Sequence, residues 1–182
     1  MTAKYVAGVV FVTALVLLIP LISMQFSDGV VWTLSDFVFA AALISGTGIA
    51  YKFISQRSTA VAYRVATAIA VVTALLLVWV NGAVGIIGSD DNPVNLLYFV
   101  VLVIGLIGVF LSRLEADGMK RALVVTGIAQ ILVPIIALEF RPSDFDPGLV
   151  RVFGLNIFFV LLWLVSALLY RRVAQKQSEQ LV

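Results

Sequence analysis

Six apolar runs separated by short charged gaps constrain this chain more than anything else in it. They fall at about residues 5–24, 30–51, 62–80, 95–111, 122–138 and 152–170. A helix needs about 20 apolar residues to cross the hydrocarbon of a bilayer. In hydrocarbon only helices and closed barrels satisfy every backbone N–H and C=O, and these runs lack the alternation of barrel strands. The expected fold is all-α, a six-helix integral membrane bundle forming a single transmembrane domain over residues 1–182. Short connections make chain neighbours antiparallel, as three consecutive helical hairpins. Composition agrees: 62% of residues are hydrophobic and 12% charged, against about 45–50% and about 25% in a soluble domain.

The charges alternate from gap to gap. Lys4, Lys52, Arg57, Arg64, Arg113, Lys120, Arg121, Arg171, Arg172 and Lys176 collect at one side, with only Glu115, Asp117 and Glu179 among them. The other side holds Asp28, Asp36, Asp90, Asp91, Glu139, Asp144 and Asp146 against Arg141 and Arg151. Lys and Arg in short loops stay on the cytoplasmic side, so both termini are expected there. The first run has no small-x-small pair near Ser23–Phe26 and Pro20 interrupts its end, so it is expected to remain as a span rather than be cleaved as a signal peptide. The tail over 171–182 is expected to leave the bilayer as a helix that frays. Trp32, Tyr51, Tyr63, Trp79, Tyr98 and Tyr170 fall near the expected interfaces, as an aromatic belt would.

Cysteine and histidine are both absent. Disulfides and thiol redox chemistry are excluded, as are nucleophilic schemes built on histidine. Zinc, copper and axial haem ligation lose their usual side chains, so no metal and no cofactor is expected. Without an arranged acid–base pair, the chain is not expected to be an enzyme. Its basic residues line a membrane surface and suit anionic headgroups, so the bilayer is the expected partner and nucleic acid is not.

Small residues mark packing faces, because they let helix backbones approach closely in lipid. Ala62, Ala66, Ala70 and Ala74 recur every fourth residue on the third span, and Ala42, Gly46 and Ala50 on the second. Packing within the bundle is the expected use. A homo-oligomer or a membrane partner protein is the other.

Polar residues within spans nominate ligand sites. Gln130 stands near the middle of the fifth run, with Thr126 and Pro134 on its face, and Pro134 cannot donate to its carbonyl. The alternative for Gln130 is an interhelical hydrogen bond. Asp36 stands one turn into the second span, where Thr33 and Asp36 suggest a capping box, and Asn92-Pro93 reads as the N-cap and first position of the fourth helix. Glu139 sits at a helix C-terminus, where the dipole disfavours an anion, and Arg141 or Arg151 is its expected partner. Asn81 opens a glycine-rich stretch to Gly88 suited to a re-entrant or cavity-lining segment. Asp36, Asn81, Gln130 and Glu139 are therefore the candidate ligand-binding residues. Asp90, Asp91, Asp144 and Asp146 are a weaker candidate set for a hard cation.

The stretches 24–28, 32–37 and 46–51, and above all Trp79 through Pro93, resemble an uncharacterised family of small bacterial multi-pass inner-membrane proteins. That resemblance implies residence in the bacterial inner membrane and no particular activity. Six spans in fewer than two hundred residues are also similar to the substrate-binding membrane subunit of energy-coupling-factor transporters, which docks its partner through alanine-spaced faces. Here the alanine ladder is on the third helix rather than the first. The expected function is binding or passing a small solute or ion through a polar site in the half of the bundle nearer the acidic gaps. The alternative is a non-transporting accessory or scaffold subunit of a membrane complex.

Overall fold

A computed structural model describes residues 2–27, 29–89, 91–145 and 148–180. Among them the chain is all-α, with no strand. Six helices, α1 (Ala3–Phe26), α2 (Leu34–Ser55), α3 (Val61–Val84), α4 (Leu97–Leu111), α5 (Ala116–Phe140) and α6 (Leu149–Glu179), account for the six apolar runs. All six spans are long and apolar enough to cross a membrane, the fourth when counted with the short 3-10 turn Pro93–Leu96 that leads into α4. Helix ends overrun the apolar runs by up to about nine residues. α6 carries the helix through Arg171, Arg172 and Lys176, as the tail was expected to do.

The chain divides into two compact units, Met1–Phe53 and Ile54–Val182. In the first, α1 and α2 form an antiparallel pair. Gly48 sits where the helices touch: a Cβ there would lie 3.1 Å from the Val9 Cγ2. Tyr5 donates its hydroxyl to the Gly48 carbonyl at 2.7 Å, and the Thr13 and Ser45 hydroxyls meet at 3.2 Å. The capping box is present. Asp36 accepts the Thr33 N–H at 2.7 Å, and the Asp36 N–H reaches back to the Thr33 hydroxyl at 3.4 Å. Trp32 and Phe37, one residue before the cap and four after it, meet edge-on at 5.2 Å, the apolar staple that fixes the entry of a helix.

The second unit contains α3 to α6. α5 and α6 pack along each other, α4 packs on α5, α3 packs on α6, and α3 meets α4 only narrowly. Small residues explain the close faces. A Cβ on Gly108 would fall 2.7 Å from the Ala122 Cβ, so α4 crosses α5 in backbone-scale contact. Ala66 and Ala70 of the alanine ladder are buried, and Ser166 of α6 donates to the Ala66 carbonyl at 2.8 Å. The ladder thus faces α6, with Ala62 and Ala74 at its edges.

Two apolar clusters fill this unit. One joins Tyr63, Met119, Leu123, Trp163 and Tyr170 at the basic end; the other joins Leu77, Ile87, Tyr98, Val133 and Phe159. Outward positions such as Leu106, Phe110 and Ile128 are exposed aliphatics and aromatics, while Thr67, Thr126, Gln130, Asn156 and Ser166 point inward. Such an inverted distribution is what lipid as the solvent requires, since a polar group facing hydrocarbon has no partner there.

Three of the tyrosines assigned to an aromatic belt are buried instead. Tyr63 donates to the Leu114 carbonyl at 2.7 Å, Tyr170 shares a 2.7 Å bond with Thr67, and Tyr98 is 1% exposed. Their hydroxyls find partners inside the bundle, so burial of the rings outweighs the preference for the interface.

Candidate functional site

A buried polar arrangement that joins three helices of the second unit is built on Asn156 of α6, which is fully buried. Its Nδ2 donates to the Val152 carbonyl at 2.8 Å and to the Tyr98 hydroxyl at 2.9 Å. The Val152 carbonyl is one turn earlier on the same helix and accepts only, so it dictates which side of the amide carries the nitrogen. The Asn156 Oδ1 is thereby turned toward α5, where the Gln130 Nε2 donates to it at 3.0 Å. Gln130 must present its nitrogen, and its own Oε1, at 0% exposure, has no hydrogen-bond partner among the described residues. Three helices are thus tied at one level, by α4 through Tyr98, α5 through Gln130 and α6 through Asn156. Thr126, one turn before Gln130, is occupied by the Ala122 carbonyl at 2.8 Å. All of these groups are neutral. They can exchange hydrogen bonds and fix helix register, and Gln130 Oε1 can accept one more donor.

A second amide closes one end of the unit. Asn95 accepts the N–H groups of Ile86 (3.2 Å) and Ile87 (2.9 Å) and donates to the carbonyls of Ile87 (3.1 Å) and Ser89 (2.7 Å). Asn81 donates to the Asn95 carbonyl at 3.0 Å. Gly85 and Gly88 adopt φ of 66° and 67°, a conformation glycine takes at little cost. Between them the chain turns inward and buries Ile86 and Ile87 at 1% and 0% exposure. Of the stretch expected to be re-entrant or cavity-lining, residues 81–84 are the last turn of α3, and Ile86 and Ile87 pack into the core.

The four ligand-binding candidates have separate surroundings. Asp36 is spent on its cap with Thr33 in the first unit. In the second unit Asn81 pairs with Asn95 and Gln130 with Asn156. Glu139 is exposed and forms no ion pair among the described residues, with Arg141 and Arg151 included. Within the second unit no hydrogen bond joins any two of Asn81, Gln130 and Glu139. Of the cation candidates, Asp90 and Asp146 lie outside the described residues. Asp91 is exposed, and Asp144 accepts from the Asn92 amide at 2.9 Å, which ties the two acidic gaps together. Asn92 also caps its turn by accepting the Val94 N–H at 3.1 Å. Among the described residues no three acidic side chains converge as metal ligands.

Asn156, Asn95 and Tyr98 were missed as site residues. A lone amide such as Asn156 in an apolar run carries its own signal, because hydrocarbon leaves it no partner outside the bundle. Neither a family model, nor a curated protein, nor a solved structure matches this chain.

Proposed function

We propose that the protein is a multi-pass component of the bacterial inner membrane, with both termini cytoplasmic, that serves as a non-transporting accessory or scaffold subunit of a membrane complex. One observation carries the reading: most buried polar side chains within the α3–α6 unit are engaged by bonds between and within helices, across close contacts such as Gly108–Ala122. The three buried atoms left without a partner among the described residues, Asn81 Oδ1, Gln130 Oε1 and Trp163 Nε1, stand on three different helices. Interhelical bonds of this kind hold register, each with a modest contribution of about 0.6–2 kcal/mol. A rigid unit with an apolar exterior suits a subunit that shapes or steadies a neighbour.

The orphaned acceptor on Gln130 favours a second reading, in which a small solute carrying a hydroxyl or amine donor is bound at mid-span. Reconstitution separates the two. For an accessory subunit, liposomes containing the purified protein pass water, protons and small polyols no faster than protein-free liposomes. On native gels of the source membrane the protein migrates in a complex well above its own 19.7 kDa. A flux that Gln130→Leu abolishes would overturn the accessory reading in favour of solute handling.

A further inference from the structure

We propose that the groove between α1 and α2 at their basic end binds an anionic phospholipid, one acyl chain lying against Gly8, Val12 and Ile44 and the phosphate meeting Lys4 and Lys52. The groove is open along one side, has a volume of about 380 Å³ and is lined by residues of α1 and α2. Lys4, Gly8 and Val12 recur every fourth residue, so they form one stripe along α1. Gly8 opens the hollow, since a Cβ there would meet nothing within 4 Å. The Val9–Gly48 contact forms the floor, and the Thr13–Ser45 bond at 3.2 Å closes the far end.

The mouth differs in chemistry. Lys4 lines it, and the Lys52 Nζ stands 5.3 Å from the centre of the Tyr5 ring. Tyr5 is held in place by its 2.7 Å bond to the Gly48 carbonyl. Lys4 in the lining and Lys52 over the Tyr5 ring thus bring two cationic residues to one end of an apolar trough. From Lys4 to Thr13 a helix rises roughly 14 Å, close to half of the hydrocarbon core of about 30 Å. The trough thus matches one leaflet in length. Its walls suit an alkyl chain and its mouth suits a phosphate. A zwitterionic headgroup would bring a second cation against Lys4, so the charge favours an anionic lipid.

The test uses the full-length protein in nanodiscs of phosphatidylglycerol and phosphatidylcholine at equal amounts with identical acyl chains. Lipids retained after release into mild detergent are counted by native mass spectrometry. Phosphatidylglycerol is expected to be retained about tenfold over phosphatidylcholine, given two lysines near an anionic group. The double variant Lys4→Gln, Lys52→Gln loses that preference, and Lys176→Gln keeps it. Gly8→Leu fills the trough and removes the retained lipid while helix content by circular dichroism stays unchanged. Millimolar inorganic phosphate leaves the lipid bound; displacement by phosphate would show an anion site without a chain site and overturn the proposal. Equal retention of the two lipids, or phosphatidylglycerol retained by Gly8→Leu, overturns it as well. So does a protein dimer, in place of bound lipid, that Gly8→Leu disperses.

Discussion

The Asn156 amide donates to the carbonyl of Val152, 2.8 Å away on its own helix, and that bond decides what Gln130 on the next helix can do. With the nitrogen of Asn156 committed, Gln130 pairs through Nε2 and its Oε1 is left over. The two residues are therefore unequal partners. Asn156→Leu strands the Gln130 nitrogen and one bond of Tyr98, and an unsatisfied buried group costs about 1–3 kcal/mol. Gln130→Leu strands only the Asn156 Oδ1, and it removes an orphaned acceptor together with a bond of about 0.6–2 kcal/mol. Asn156→Leu, in contrast, leaves both polar atoms of Gln130 unpaired. Unfolding in mixed micelles is expected to show Asn156→Leu less stable than Gln130→Leu by about 1–2 kcal/mol. The reverse order would mean that Asn156 does not organise the network.

Gly108 and Ala122 form a pair in which either residue can be the small one. Gly108→Ala places a methyl 2.7 Å from the Ala122 Cβ, and overpacking of this kind costs about 1–3 kcal/mol. Adding Ala122→Gly is expected to recover more than half of the loss. Thermal unfolding of the two single variants and the double variant measures the coupling, and simple additivity would refute the contact.

Asn95→Ala removes four hydrogen bonds to the turn holding Ile86 and Ile87. Amide exchange over Ile86–Ser89 is expected to rise by at least about a hundredfold, the equivalent of roughly 3 kcal/mol of lost local stability. Exchange in α5 is expected to change far less. Uniform acceleration throughout α3–α6 would show that this turn and the bundle unfold as one.

The absence of cysteine makes the chain a clean host for single labels. With Ser178→Cys and Ser89→Cys placed on opposite sides, a membrane-impermeant maleimide applied to intact spheroplasts should modify Ser89→Cys alone. Lysed cells should modify both. Labelling of Ser178→Cys in intact spheroplasts would invert the proposed topology.

The thirty-first residue of α6 and the first of α1 were less legible than the six spans between them, because helix ends depend on local capping while spans depend on summed hydrophobicity. The caps at Thr33–Asp36 and Asn92–Pro93 were legible too, since each involves residues at most three apart in the chain. The expectation that Asp36, Asn81, Gln130 and Glu139 line one site rests on depth alone. Depth says how far a residue lies along a helix, and nothing of which neighbour its face meets. Gln130 shows the difference: its interhelical bond was anticipated, while its partner 26 residues away was not.

The sequence by itself determined an all-α chain of six membrane-crossing helices, with small residues where helices press together. Those properties follow from hydropathy, chain length and near-neighbour chemistry, which need no knowledge of the rest of the molecule. Only the tertiary structure decided that the alanine ladder meets α6, that Tyr98 turns inward to Asn156, and that Ile86 and Ile87, bonded to Asn95, pack into the core. These pairings depend on how each helix is rotated about its axis. That rotation is chosen jointly by all the packed faces and buried hydrogen bonds, in a solvent that offers polar groups no other partner.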